Sequence, residues 1–276
     1  VGRTEEVQRL LAHGRGESVS KGLALLARPG AGSTELLAQV YERLFYDQET
    51  VIPFFYKVTS GDITGQAAAK RFLHSFLTQT VAFRRGDPHI IEASPELKEI
   101  SEMAAPLNTP WIERLVEVCQ AEHAEDDERA FLRHCLSSPM RAVGGDAQVL
   151  VIIDEIQEAL YLEDGDAFLT DLLEIFERST VPVVICGQRR FLYDLTTFPA
   201  LRIENLSFIE AGRMIENDAK RSGVSVNDHT RDLIAVQLGC SPAYISSYLS
   251  SAQDSGSELT SFAAAEQLYT DEVFGG

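Results

Sequence analysis

The sequence predicts an α/β fold, in which a five-stranded parallel sheet is flanked by helices and followed by a small all-helical subdomain. Short apolar runs bounded by turn residues are typical of buried parallel strands, and here they alternate with helical patterns up to Leu206. After Leu206 only helical patterns remain. We therefore predict an α/β core over residues 1–206 and a helical lid subdomain over residues 207–276.

Each predicted element follows from its own pattern. The strands are apolar runs at 23–26, 51–58, 149–153 and 181–186, with a weaker fifth at 200–206. Helical periodicity covers 3–12, 33–46, 64–83, short stretches from about 95 to 138, 166–179, 208–222, 227–238, 241–254 and 260–273.

Residues 84–147 are the least regular part of the chain. They contain five prolines, an acidic run at 122–128 and the glycine pair 144–145. We predict a helical insertion that precedes the third strand and faces solvent.

Composition limits the partners of the protein. The net charge of −18 opposes broad attraction to nucleic acid or to an anionic membrane, because both carry the same sign. A protein partner or self-association is therefore expected. No apolar run approaches the roughly 18 residues of a membrane span. The four cysteines are scattered without metal-ligand spacing, which fits a reducing compartment and predicts a cytoplasmic protein.

The turn between the first strand and the next helix resembles a phosphate-binding loop. The usual pattern is GxxxxGK[ST], in which backbone N–H groups and a helix N-terminus bind phosphate and the lysine bridges the β- and γ-phosphates. Over residues 27–34 the second glycine is Gly32 and the hydroxyl is Thr34, but the first glycine is Ala27 and the lysine is Ser33. Alone this is weak evidence, since the same residues also cap helices well.

The third predicted strand ends in an acidic pair. Asp154 and Glu155 follow the apolar run 149–153, so they lie at the carboxyl edge of the sheet. There a first carboxylate can bind Mg²⁺ and a second can position water. The glycine turn and the acidic strand end together are much more specific than either one alone.

These motifs resemble the AAA+/STAND superfamily of P-loop ATPases, in particular its archaeal-type and origin-recognition-type branch. The resemblance extends over nearly the whole chain, with the insertion at 84–147 matching least. The segments that carry it are VGRTEEVQRLL (1–11), ARPGAGSTELL (27–37, a degenerate Walker A motif), VLVIIDEIQEA (149–159, an intact Walker B motif), VPVVICGQRR (181–190), FPALRIENLSFIEA (198–211), LGCSPAYISSYL (238–249) and AAAEQLYTDEVFGG (263–276).

The resemblance implies a role for each candidate residue. ATP or ADP with Mg²⁺ is the implied cofactor, with Thr34 and Asp154 at the metal and Glu155 positioning water. Gln188 is implied to sense the γ-phosphate, and Arg202 to face the nucleotide, although both positions are equally consistent with surface polar groups. Val1, Gly2 and Arg3 are implied near the adenine, and Arg28, Pro29, Gly30, Ala31, Gly32, Ser33, Thr34 and Glu35 form the phosphate loop.

The serine at position 33 lowers the expected catalytic power. A lysine about 4 Å from a phosphate charge contributes ~4 kcal/mol at an effective dielectric constant near 20. Losing most of this would slow γ-phosphate transfer by about 10²- to 10³-fold, at ~1.36 kcal/mol per decade. Arg28 could fold over the phosphates instead, but surface solvation or a salt bridge to nearby carboxylates is the stronger expectation. Lys21 lies at the opposite end of the first strand and cannot serve.

Three functions follow, in order of preference. The first is a nucleotide-binding module that acts as a regulatory switch or scaffold, with weak or absent ATP hydrolysis. The second is a nucleotide-free protein-interaction domain. The third is an active ATPase that uses Arg28 or an arginine from a partner.

Overall fold

A computed structural model of the chain describes residues 2–48, 50–107, 109–121, 128–143 and 148–274. Five strands form one parallel sheet in the order β2–β3–β4–β1–β5, and the C-terminal region is helical, which confirms the predicted fold class. The strands are β1 Gly22–Ala27, β2 Val51–Lys57, β3 Gln148–Asp154, β4 Val183–Gln188 and β5 Ala200–Ile203.

Helices occupy the segments between and after the strands. They are α1 Thr4–Gly14, α2 Ser33–Asp47, α3 Gly65–Arg85, α4 His89–Ala93, α5 Leu97–Ala104, α6 Pro110–Ala121, α7 Glu128–Leu136, α8 Ser138–Val143, α9 Gly165–Glu177, α10 Arg189–Leu195, α11 Phe208–Ser222, α12 Asp228–Gln237, α13 Pro242–Ser255 and α14 Phe262–Phe274. None of the helices in the described ranges is both long and apolar enough to cross a membrane.

The chain divides into two compact units. The small unit comprises Val1–Thr4, Ala27–Ser33 and Arg202–Gly276, and the large unit comprises Glu5–Leu26 and Thr34–Leu201. Each unit has its own apolar core, which in the small unit is formed by residues of α11–α14 such as Ile215, Ile245 and Leu249. The domain boundary at residue 206 stays a prediction.

Strand β2 lies at one edge of the sheet, and its outer side is blocked. Pro53 has no N–H, and the side-chain amide of Gln79 in α3 accepts from the N–H of Phe55 at 2.9 Å and donates to its carbonyl at 2.8 Å. Arg71 donates to the carbonyl of Lys57 at 2.8 Å. An exposed edge invites pairing with another chain, so these contacts protect β2 from it.

Helices α4–α8 lie in the described part of 84–147 and bury residues such as Ile100, Phe131 and Leu136 in the core of the large unit, so the prediction that this insertion faces solvent is wrong. Helix α7 is also joined to α9 by a charged contact. Asp171 of α9 is fully buried and accepts from Arg129 at 2.9 and 3.0 Å and from Arg133. The hydrogen bond from Arg129 lowers the pKa of Asp171, and Arg133 acts in the same direction. The glycine pair 144–145 and most of the acidic run predicted at 122–128 lie outside the described residues.

Candidate functional site

The glycine turn between β1 and α2 has a backbone that only glycine adopts readily. Gly30 and Gly32 have φ of +74° and +81°, in the left-handed region. The N–H of Ala31 donates to the carbonyl of Arg28 at 3.0 Å, which closes the turn. Helix α2 begins directly afterwards at Ser33. Because the first N–H groups of a helix have no intrahelical acceptor, this end of α2 can bind an anion.

Within the small unit, the start of α13 contacts the glycine turn. The carbonyl of Gly30 accepts from the hydroxyl of Ser241 at 3.2 Å and from the N–H of Ala243 at 3.1 Å. A Cβ at Gly30 would lie 3.1 Å from the hydroxyl oxygen of Ser241. The position therefore requires glycine for its close packing as well as for its backbone angle.

Arg3 reaches the same turn from the N-terminal segment. Its guanidinium donates to the carbonyl of Ala31 at 2.9 Å and to the carbonyl of Glu204. Arg3 itself has a φ of +66°, and Gly2 has a φ of +78°. Val1 lies outside the described residues. The structure thus places Arg3 against the predicted phosphate loop, a contact that the sequence did not indicate.

Arg28 forms a salt bridge, one of the two alternatives that the sequence left open beside surface solvation. Its Nε lies 2.7 Å from a carboxylate oxygen of Glu204, and the two side chains are 58% and 49% exposed. At this exposure the pair contributes about 0–1 kcal/mol. To bind phosphate, the guanidinium of Arg28 would have to leave Glu204.

The remaining predicted loop residues lie at the start of α2 or just before it. Ser33 is half-buried at the first helical position, and Pro29 is exposed. The exposed Glu35 accepts from Gln39 one helical turn later at 3.0 Å, which keeps its carboxylate on the helix surface. None of these three side chains supplies a positive charge to replace the missing lysine.

In the large unit, the acidic end of β3 is joined to the start of α2. Asp154 is the last residue of β3 and is 1% exposed. One carboxylate oxygen accepts from the hydroxyl of Thr34 at 2.7 Å, and the other accepts from the N–H of Glu155 at 2.9 Å. The backbone carbonyl of Asp154 accepts from Val58 at 3.0 Å. Two of the residues predicted at the metal, Thr34 and Asp154, are therefore in direct contact.

Glu155 follows in a left-handed conformation, with φ of +54°. Its carboxylate accepts from the side-chain amide of Gln157, which is 6% exposed. The other end of that amide accepts from the backbone N–H of Gln188 at 3.0 Å. Gln157 was not among the residues predicted from the sequence. A buried amide side chain two residues after an acidic pair was the available signal.

The two further predicted residues are on strand ends. Gln188 is the last residue of β4 in the large unit, and Arg202 lies in β5 in the small unit. Both side chains are exposed, and neither forms a hydrogen bond with another described residue. Their roles on nucleotide stay predictions.

The chemistry of the Thr34–Asp154 pair fits magnesium. Hydroxyl and carboxylate oxygens are the ligands that Mg²⁺ takes from proteins, usually one or two beside phosphate and water. Among the described residues no cluster of three or more His, Cys, Asp or Glu side chains could hold a metal ion. The hydroxyl of Thr34 and the carboxylate of Asp154 are therefore oxygen donors of the kind that Mg²⁺ takes.

Comparison with known proteins places the fold. No family model matches the sequence, and no curated protein matches it either. Solved structures do match, at low sequence identity. The Walker-type ATPase PABY2304 of Pyrococcus abyssi is 14% identical with a TM-score of 0.59, over 99% of this chain and 72% of that chain. Domain III of the Thermotoga maritima replication initiation protein DnaA is 11% identical with a TM-score of 0.55, over 99% and 94%.

A third similar structure is the Aeropyrum pernix Orc1 protein in complex with DNA. It is 12% identical with a TM-score of 0.57, over 98% of this chain and 65% of that chain. At these identities the likeness concerns the fold. The fold is that of AAA+ P-loop ATPases, and the glycine turn and the acidic end of β3 occur in it in the expected order.

Proposed function

We propose that this chain is an AAA+/STAND-like nucleotide-binding module that acts as a regulatory switch or scaffold, with weak or absent ATP hydrolysis. The observation that carries the proposal is the 2.7 Å hydrogen bond from Thr34 to the buried carboxylate of Asp154. It joins the hydroxyl of the loop motif to the acidic motif, which are 120 residues apart in the chain. Burying a carboxylate is costly, so its placement beside a hydroxyl favours a cation-binding role.

In this proposal each predicted residue contacts a different part of ATP or ADP with Mg²⁺. Thr34 and Asp154 would hold Mg²⁺, which supplies charge neutralisation at the phosphates when bound. Glu155 would orient water, Gln188 and Arg202 would meet the phosphates, and the N-terminal residues 1–3 would meet the adenine. The loop residues Arg28, Pro29, Gly30, Ala31, Gly32, Ser33, Thr34 and Glu35 would surround the phosphates.

Hydrolysis is expected to be weak because no side chain of the loop supplies the missing charge. Ser33 is neutral, Arg28 is paired with Glu204, and Arg3 is bound to two backbone carbonyls. The absent lysine corresponds to a loss of about 10²- to 10³-fold in turnover. Backbone N–H groups and the dipole of α2 remain, and they are sufficient for binding without rapid chemistry.

A switch requires different affinities for two arrangements, not fast turnover. Hydrogen bonds inside the small unit could transmit nucleotide binding from the loop to α13 and to the N-terminal segment. The carbonyl of Gly30 is bound to the start of α13, and the carbonyl of Ala31 is bound to Arg3. Phosphate bound to the N–H groups of the loop would therefore contact the same short segment whose carbonyls accept hydrogen bonds from α13 and from Arg3.

A nucleotide-free interaction domain is the second candidate, and the missing lysine favours it. The net charge of −18 favours a protein partner over DNA, although the Orc1 structure of similar fold contains DNA. An active ATPase is the third candidate. It would require Arg28 to leave Glu204, or an arginine from a partner or a second copy.

Thermal unfolding with nucleotide tests the proposal. Ligand at about 100 times its Kd stabilises the folded state by ~2.7 kcal/mol, so millimolar ATP or ADP with Mg²⁺ should raise the melting temperature measurably. EDTA should reduce the increase. A melting temperature that is unchanged by ATP and ADP would favour the nucleotide-free interaction domain.

A further inference from the structure

The buried side chain of Gln157 lies between a hydrogen-bond acceptor, the Glu155 carboxylate, and a hydrogen-bond donor, the N–H of Gln188. It lies in the turn Ile156–Tyr161 that follows the acidic pair, and it is 6% exposed. Its Nε2 donates to the carboxylate of Glu155, and its Oε1 accepts from the N–H of Gln188 at 3.0 Å. Reversing the amide would set oxygen against carboxylate and N–H against N–H, so the two partners fix its orientation.

Gly187 provides the space that this amide occupies. A Cβ at Gly187 would lie 2.6 Å from Oε1 of Gln157 and 2.8 Å from Cγ2 of Ile156. Gly187 is not among the positive-φ glycines, so its backbone would accept alanine. The requirement for glycine here comes from the neighbouring amide, which ties the sequence of β4 to the placement of Gln157.

Glu155 has few other restraints of its own. It stands in a left-handed conformation, which is unusual for a residue with a side chain. The described structure gives its carboxylate the amide of Gln157 as hydrogen-bond donor. A group that positions water needs a partner that fixes its direction, as a base needs an orienting hydrogen bond.

We propose that Gln157 is a positioning residue that fixes the Glu155 carboxylate relative to the end of β4, through one amide that binds both. The inference deepens the proposed function, because it concerns the regulation of the same site. Since Gln188 ends β4, a shift of this strand end would be passed through the amide to Glu155. The amide of Gln157 carries a donor and an acceptor on one planar group, so it can donate to the Glu155 carboxylate and accept from the Gln188 N–H at once.

The side-chain amide resonance of Gln157 tests the contact without nucleotide. The resonance is identified by its loss in Gln157→Met. In Glu155→Ala it should shift and its protons should exchange faster with solvent, whereas Glu155→Gln retains an acceptor and should restore much of the wild-type position. Glu158→Ala, in the same turn, is the control and should leave the resonance unchanged. A Gln157 side-chain resonance with the same position and exchange rate in Glu155→Ala as in the wild type would overturn the proposal.

Gly187→Ala tests the same network from β4. The new methyl group would press on the amide and on Cγ2 of Ile156 while leaving the hydrogen-bonding groups of Glu155 and Gln188 in the chain, so the Gln157 resonance should move. The folded state is checked by the backbone amide spectrum, which should stay close to that of the wild type away from residues 154–158 and 186–189. An unperturbed Gln157 resonance in a folded Gly187→Ala protein would contradict the geometry.

Kinetics in a Ser33→Lys background separate orientation from packing. Gln157→Glu keeps the acceptor for Gln188 but cannot donate to Glu155, and Gln157→Met loses both bonds. Both should lower kcat by about tenfold, the lower end of the loss seen when an orienting outer hydrogen bond is removed, with KM for ATP nearly unchanged. A wild-type kcat in Gln157→Glu would show that Gln157 only packs β4. If no nucleotide binds, the proposed function fails, while the amide spectra still decide the role of Gln157.

Discussion

The glycine loop at 28–33 and the acidic strand end at 154–157 differ in what each retains. The loop has lost the lysine and the first glycine of its pattern but keeps Gly30 and Gly32 in left-handed conformations. The strand end keeps both acids, and side-chain hydrogen bonds from Thr34 and Gln157 hold them. The loop thus offers backbone geometry with its one cation, Arg28, paired to Glu204, and the strand end offers carboxylates in a fixed geometry.

The difference shows which part of a nucleotide site depends on particular side chains. Backbone N–H groups and a helix dipole do not depend on the residue at position 33, so a loop can bind phosphate after losing its lysine. Charge neutralisation in the transition state does depend on that residue. The proposed function requires that binding and chemistry be separable, and the following changes test that separation.

Restoring the charge to the loop should have the largest effect. Ser33→Lys is expected to raise the ATP hydrolysis rate by about 10²- to 10³-fold, because the ammonium regains ~4 kcal/mol of interaction with phosphate. Phosphate release under single-turnover conditions measures it. Ser33→Met, of similar length and no charge, is the matched control and should stay at the wild-type rate. A hydrolysis rate that increases threefold or less in Ser33→Lys would mean that Asp154 and Glu155 do not support ATP hydrolysis.

Removing the first acid should abolish the dependence of nucleotide affinity on Mg²⁺. Asp154→Ala is expected to weaken Mg²⁺–ATP binding by about 100-fold, corresponding to ~2.7 kcal/mol, while binding in EDTA stays the same. Asp154→Asn keeps an acceptor for Thr34 and separates the loss of charge from the loss of the hydrogen bond. Equal Mg²⁺ dependence in wild type and Asp154→Ala would remove the Walker B interpretation.

Straining the loop backbone should have an intermediate effect. Gly32 has a φ of +81°, and placing a side chain in the left-handed region costs about 1–2 kcal/mol. If alanine at position 32 relaxes to a negative φ in the free loop, binding must restore the left-handed conformation, and Gly32→Ala should weaken ATP binding by about 5- to 30-fold. Gly223→Ala is the control, because Gly223 has a φ of +70°, has nothing within 4 Å of its Cβ position and lies after α11. Gly223→Ala should lower the free energy of unfolding as much as Gly32→Ala does, which chemical unfolding measures. Its affinity for ATP, measured by titration, should equal that of the wild type.

Removing the loop arginine should have the smallest effect. Arg28→Ala breaks an exposed pair with Glu204, so stability should fall by less than about 1 kcal/mol and ATP affinity by less than about threefold. Filter binding and denaturant unfolding suffice for this comparison. If hydrolysis by the wild type is measurable and Arg28→Ala eliminates it, then Arg28 supplies the missing charge and the active-ATPase function is correct.

The sequence predicted the elements that carry a local pattern. The run 51–58 is strand Val51–Lys57, and the pattern 208–222 is helix Phe208–Ser222, because apolar periodicity reports burial directly. The short helix Arg189–Leu195 was not predicted, since seven residues give little periodicity. The alternation of strands and helices also predicted the parallel sheet.

Other features of each unit depend on contacts between residues that are distant in the chain. The amide of Gln157 meets Gln188, 31 residues away, and Arg3 meets Ala31, 28 residues away. Neither pairing has a signal in local composition. The left-handed conformation of Glu155 was equally hidden, because glutamate does not mark positive φ as glycine does. Sequence motifs indicated the candidate residues, while the hydrogen bonds around them required the fold.

Isothermal titration of ATP and ADP, with Mg²⁺ and with EDTA, tests the central claim most directly. The claim is that the loop binds nucleotide although Ser33 has replaced the lysine. We predict micromolar binding of both nucleotides, tighter with Mg²⁺, with the Mg²⁺ contribution absent in Asp154→Ala. No heat of binding up to millimolar nucleotide, in a sample whose amide spectrum shows a folded protein, would contradict it and leave the chain as a nucleotide-free interaction domain.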